Sequence, residues 1–198
     1  DDPPVDLVEH EIGHSLGWAH SGMGLAGQYL SPVDLMSNSA APRNVDASRR
    51  SAPDPLGVQR LVAGWLRGVE VSAVDESITA TLSPSNVWLT DVASAALGTR
   101  LLVLRVDDRS FLTVELLVDT GFDEHLPASG IAVHRVTCRA DDHTVIESIE
   151  PITASGQPPF TDLLQSKGTL TTDGWIIEVV EWSGDGWVVS ATPVGSTR

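Results

Sequence analysis

Cysteine occurs once in these 198 residues, at Cys138, so no disulfide can close within the chain. The thiol lies in an alternating strand pattern and reads as a small buried hydrophobe rather than a reactive group. Cations are scarce: 12 Lys and Arg stand against 27 Asp and Glu, a formal net charge of -15. A surface of that sign repels phosphate, which argues against nucleic acid and anionic membrane as partners. Lysine is nearly absent, with Lys167 alone beside eleven arginines. With abundant Ala and Val, that imbalance points to a GC-rich, bacterial coding sequence. No run approaches the ~20 apolar residues that span a bilayer. The hydrophobic content of 41% is ordinary for a soluble globular protein, and the length suits one large or two small domains.

What is present is concentrated near the beginning, in His10-Glu11-Ile12-Gly13-His14-Ser15-Leu16-Gly17-Trp18-Ala19-His20. On a helix, residues four apart differ by about 40° around the axis, so His10 and His14 project from one face. Two neutral imidazoles at that spacing can bind one Zn²⁺ ion. Glu11 lies on the rim of the same face, placed to take a proton from an attacking water. A continuous helix would carry His20 away from the pair. Gly17 can adopt φ > 0, end the helix and return His20 to the metal. Three histidines leave a fourth position open, the arrangement of a catalytic rather than a structural zinc site.

The flanking residues fit a helix. Asp1 and Asp2 before Pro3 form a start signal, with acid placed well for the helix dipole. At about 100° per residue, Val5, Val8, Ile12 and Leu16 form one stripe nearly opposite the histidines. One face can therefore pack on a core while the other lines a cleft, and whatever part of the stripe Leu61, Val62 and Trp65 leave uncovered is expected to be exposed.

These residues resemble the metzincin metallopeptidases, whose long zinc motif is followed by a turn carrying a methionine. Met36, in Asp34-Leu35-Met36-Ser37, stands 16 residues beyond His20. The resemblance implies that it forms a hydrophobic base beneath the histidines. Met23, the other methionine, is too close to His20 for that role. The run Tyr29 to Ser37 and the later Gly64-Trp65-Leu66 look like gametolysin-type and immune-inhibitor-A-like bacterial secreted peptidases, while His20-Ser21 is similar to matrixins. Some metzincins have a tyrosine two residues after the turn methionine, and Asn38 stands there in this chain. The resemblance also implies a sheet and a helix upstream of the zinc motif, so the chain is expected to be an N-terminally truncated piece.

Residues 21–53 are rich in Gly, Ser, Pro, Asn and Ala and read as a long functional loop. Asp54-Pro55 starts a helix expected over residues 55–66, with Leu56, Val58, Leu61, Val62 and Trp65 as its apolar face. Beyond Gly68 the pattern turns to short β runs: Val69–Val74, Ser77–Leu82, Val87–Val92, Leu101–Val106, Phe111–Val118, Ile131–Arg139, Val145–Ile149, Trp175–Trp182 and Trp187–Thr192. Gly184-Asp185-Gly186 is a hairpin signal between the last two. The expected fold class is therefore α+β. Residues 1–68 would be part of a metzincin-like catalytic domain, with zinc helix, methionine turn and C-terminal helix. Residues 69–198 would form an antiparallel β-sandwich or jelly-roll-like accessory domain.

Asp119, Asp123 and Glu124 share an acidic loop that reads either as a solvated surface or as a Ca²⁺ site. His125, His134 and His143 lack metal-ligand spacing. Taken together, these features predict a secreted zinc endopeptidase acting on protein or peptide, with Glu11 catalytic, His10, His14 and His20 as ligands and Met36 in the turn. The alternative is a secreted, non-catalytic module whose β domain attaches to protein or glycan. An intact Glu11 favours the enzyme, because a structural zinc needs no base beside it. Oligomeric state and cleavage preference leave no mark on the sequence.

Overall fold

The computed structural model describes residues 3–22, 29–39, 46, 50–82, 98–156, 163–183 and 186–195. Helix α1 spans Val5–Ser15 and α2 spans Gly57–Val62. Among the described residues nine strands follow: β1 Val71–Val74, β2 Ile78–Leu82, β3 Leu101–Arg105, β4 Ser110–Leu117, β5 Gly130–Cys138, β6 Ile146–Pro151, β7 Thr169–Thr172, β8 Trp175–Ser183 and β9 Gly186–Pro193. They form a five-stranded sheet, β1-β3-β4-β5-β6, and a four-stranded sheet, β2-β9-β8-β7. Among the described residues, no helix is long and apolar enough to cross a membrane.

Period-2 alternation sends one side of most strands into a shared core. In β8 and β9, Trp175, Ile177, Val179, Trp187, Val189 and Ala191 point inward. They meet Leu102, Leu104, Leu112, Val114, Leu116, Ile131 and Val133 from β3, β4 and β5. Trp175 ties the layers further by donating its Nε1–H to Arg105 O at 2.8 Å. Burial of these aliphatic side chains is worth about 1.5–3 kcal/mol each, enough to make the two-sheet packing the main source of stability.

The other face of the five-stranded sheet is also covered, and this is what positions the histidine segment. Leu56 and Val58 pack against Val136 and Ile149, while Val33 packs against Leu117, Leu126 and Ala132. Gly57 N–H donates to the Glu115 carboxylate of β4, at 2.9 Å to Oε2. Gly22 N–H donates to Ile149 O at 2.9 Å, and His125 Nε2 bonds Pro32 O at 2.8 Å. Strands β4 and β5 are consequently buried on both faces.

Several expectations need correction. The two sheets and their common core fit a sandwich, but β1 runs parallel to β3, so the pairing is not wholly antiparallel. Gly68–Glu70 is a 3₁₀ turn, which delays β1 to Val71. Strand β7, Thr169–Thr172, was not expected; its one deeply buried side chain, Leu170, leaves too little apolar alternation to read. The helix expected over 55–66 stops at Val62, because Gly64 takes φ 73° and Trp65 N–H turns back to Arg60 O at 2.8 Å. Trp65 is then 48% exposed, and Leu61 and Val62 face solvent with it, so the expected apolar face is wrong beyond Val58. Helix α1 begins after Pro4 without a side-chain cap. Asp1 and Asp2, Met23, the Val87–Val92 strand and the Gly184-Asp185 turn lie outside the described residues.

Candidate metal centre

Helix α1 ends as Gly17 allows. Gly17 has φ 84°, its N–H bonds His14 O at 3.0 Å, and Trp18 N–H bonds Gly13 O at 3.1 Å. This pair of backward bonds is a Schellman ending, and only a residue without Cβ enters it at no steric cost. The chain reverses, and His20 comes back over the helix. Ring centroids are 4.9 Å apart for His10 and His14, 4.5 Å for His14 and His20, and 5.3 Å for His10 and His20. One ring nitrogen from each lies within 4.8 Å of the others.

The outer nitrogens are occupied. His10 Nδ1 bonds Leu35 O at 2.9 Å, and His14 Nδ1 bonds Trp18 O at 3.0 Å. A carbonyl only accepts, so each Nδ1 carries the proton and each Nε2 is left as a lone pair. His14 Nε2 and His20 Nε2 then face each other at 2.8 Å. Burial, together with the neighbouring His14 and His10, lowers the pKa of His20, while Glu11 acts in the opposite sense. His10 and His14 thus turn Nε2 toward the same point that His20 faces. A tetrahedral ion with Zn–N bonds of about 2.0–2.1 Å holds its ligand nitrogens roughly 3.3 Å apart; here His14 Nε2 and His20 Nε2 are 2.8 Å apart and all three donor nitrogens lie within 4.8 Å of one another. The three side chains could hold a metal ion.

The floor of the site is apolar. Met36 is fully buried with Trp18, Leu35 and Ala52. It lies directly against α1 at Gly13: a Cβ there would collide with the Met36 sulfur and come within 2.8 Å of Trp18 Cε3. Met36 thus sits under the helix turn that separates His10 from His14. The turn holding it is built on Asp34, whose Oδ1 accepts Met36 N–H at 2.8 Å and Gln59 Nε2–H at 2.9 Å. Ser21 Oγ–H donates to Asp34 Oδ2. Burial raises the carboxyl pKa, and these three donors hold it down in part.

The buried side of α1 is Asp6, His10 and Gly13, not the apolar stripe. Val8 is 40% exposed, Ile12 54% and Leu16 40%, so the stripe is largely open to solvent. The opposite line faces the methionine turn and the Arg50–Ala52 segment instead. Arg50 pairs with Asp6 at 3.0 Å, and Glu9 Oε2 accepts Ala52 N–H at 2.6 Å. Glu11 is exposed beside the cluster.

The structure also places a group that sequence reasoning passed over. Tyr29, the one tyrosine of the chain, has its hydroxyl 3.2 Å from His20 Nδ1 and 3.3 Å from Nε2. Its ring stands 5.0 Å from His20 and 6.2 Å from His10. Asn38 instead hydrogen bonds through its backbone to Ser31 O. Tyr29 opens the run Tyr29 to Ser37, but nothing in that run assigns its hydroxyl to the site, because the chain returns there only through tertiary packing.

The other expected candidates do not assemble. Asp119 bonds Ser129, and Asp123 is buried, accepting Asp54 N–H at 3.1 Å. Among the described residues, His10, His14 and His20 form the one group of three or more His, Cys, Asp or Glu side chains close enough to share a metal. His134 is buried in β5, and His125 is tied to Pro32. Comparison of the chain with protein-family models, curated proteins and solved structures returned no match.

Proposed function

We propose that this chain carries the centre of a zinc-dependent endopeptidase, with His10, His14 and His20 holding the metal and Glu11 as general base. The observation that carries this reading is the pinning of His10 and His14 through Nδ1 to backbone carbonyls while their other nitrogens converge with His20. Metal-binding histidines are oriented in just this way by their outer hydrogen bonds. When bound, zinc supplies Lewis acidity that polarises a scissile carbonyl and makes water acidic enough to attack at neutral pH. Glu11 takes the proton of that water and returns it to the departing amine, so no covalent intermediate is needed. Tyr29 contributes an O–H at the rim, positioned beside His20 to donate to the carbonyl oxygen as its charge grows. Met36 and Trp18 keep the underside dry, which strengthens every charge interaction above them.

The test is hydrolysis of an unstructured protein by zinc-loaded wild type and Glu11→Ala, with zinc content measured on both. The proposal expects equal zinc and a loss of about 10²–10⁴-fold in rate, the usual contribution of a positioned base. Equal rates in the two proteins, or loss of zinc from the variant with activity restored by excess metal, would overturn the assigned roles.

A further inference from the structure

We infer that Asp34 is a positioning residue for His10, acting through the turn that seats Met36. The inference rests on the metal reading above but concerns the chain's own atoms. A carboxylate that is 1% exposed loses most of its hydration and persists only where donors replace water. Asp34 has three: Ser21 Oγ–H, Gln59 Nε2–H and Met36 N–H. They come from three separate places in the chain, the residue after His20, helix α2 and the turn itself. The turn closes with Ser37 N–H on Asp34 O at 3.0 Å, and Ser21 N–H bonds Met36 O at 3.1 Å.

The consequence falls on the residue between. Leu35 is flanked by Asp34, which anchors the turn, and Met36, whose N–H that carboxylate holds, so its carbonyl is fixed in direction. That carbonyl is the partner of His10 Nδ1. The geometry therefore runs from Asp34 to the Leu35 carbonyl, to the His10 tautomer and to the lone pair at Nε2. Ser21 links the same carboxylate to the segment carrying His20, so one buried group sets the relative placement of two ligands contributed by different parts of the chain. Helix α2 joins through Gln59, which also accepts Leu56 N–H at 2.8 Å. The site is thereby tied to the segment docked on β5 and β6.

The experiment compares wild type, Asp34→Ala and Asp34→Asn by two readouts. Imidazole ¹⁵N–¹H correlation spectra of the metal-free proteins report the His10 tautomer. Chelator competition reports zinc affinity. Wild type is expected to hold His10 with the proton on Nδ1. Asp34→Ala should lose that single tautomer and weaken zinc by about 10–100-fold, as removal of an outer-shell partner does. Asp34→Asn keeps the Oδ1 acceptor and should restore the tautomer, with affinity within a few-fold of wild type. An unchanged tautomer or an unchanged affinity in Asp34→Ala overturns the inference, as does failure of Asp34→Asn to recover them. If Asp34→Ala does not fold, Ser21→Ala takes its place, with smaller shifts in the same sense expected and no shift in either readout overturning it. Should wild type bind no zinc while the tautomer still follows Asp34, the metal reading fails and the positioning of His10 stands.

Discussion

Each histidine at the site has a partner that residue spacing does not reveal: the Leu35 carbonyl for His10, the Trp18 carbonyl for His14 and the Tyr29 hydroxyl for His20. The spacing of His10, His14 and Gly17 is local, so the convergence of the rings was legible in the sequence. The carbonyls of Leu35 and Trp18 were not, because backbone acceptors have no sequence signature. Asp34 had a partial one: Asp two residues before a turn residue is the pattern of a side chain capping its own backbone. Tyr29 had none. Two predictions belong at this scale. Tyr29→Phe removes only a hydroxyl, so it should leave zinc binding intact and lower kcat by about 10²-fold, as loss of one donor to a developing oxyanion does; steady-state kinetics with metal analysis will test this. His14→Ala should lose both zinc and activity, since its two nitrogens serve the Trp18 carbonyl and the histidine cluster at once.

At the scale of elements, two helices end alike, and only one ending was foreseen. Gly17 and Gly64 both take positive φ, and in each case the following tryptophan sends its N–H back to the last turn. Gly64 was missed because Trp65 and Leu66 prolong the apolar periodicity beyond the true stop. Periodicity likewise identified the stripe on α1 but not its partner, since amphipathicity says which residues are alike and not what they touch. Gly17→Ala forces a side chain into the left-handed region at a cost of roughly 1–2 kcal/mol. It should also displace His20 and weaken zinc; urea denaturation and metal titration on one preparation separate the two effects. Gly13→Ala should act from below, pushing α1 off Met36 and Trp18. A cost of about 1–3 kcal/mol, typical of overpacking, is expected in thermal melts, and no change would mean the contact with Met36 is slack.

For the whole molecule, the β sandwich and the histidine segment share buried surface, so they should not unfold independently. The strands were mostly legible because alternation is a local property. The parallel β1–β3 pair and the burial of both faces of β4 and β5 were not, because pairing order and covering layers are set by distant segments. His134 shows what this double burial does. It is 1% exposed with neither ring nitrogen hydrogen bonded, and burial pushes its pKa from 6.5 down to about 4. The unfolded chain protonates near pH 6.5 while the folded one resists, so stability falls as pH drops from 6.5 to about 4. The integrated loss is on the order of 3 kcal/mol. His134→Leu should flatten that part of the pH–stability curve, measured by urea denaturation at several pH values. A slope identical to wild type would place the acid sensitivity in other groups.

The claim that this surface is a catalytic zinc site is tested most directly by X-ray absorption at the zinc edge of the wild-type protein loaded with one equivalent of metal. The account predicts three imidazole nitrogens at about 2.0–2.1 Å and one further light ligand from solvent, with the imidazole signal reduced in His14→Ala. A shell of oxygens alone, a closed shell with no solvent ligand, or failure of the protein to retain one equivalent of zinc would contradict it.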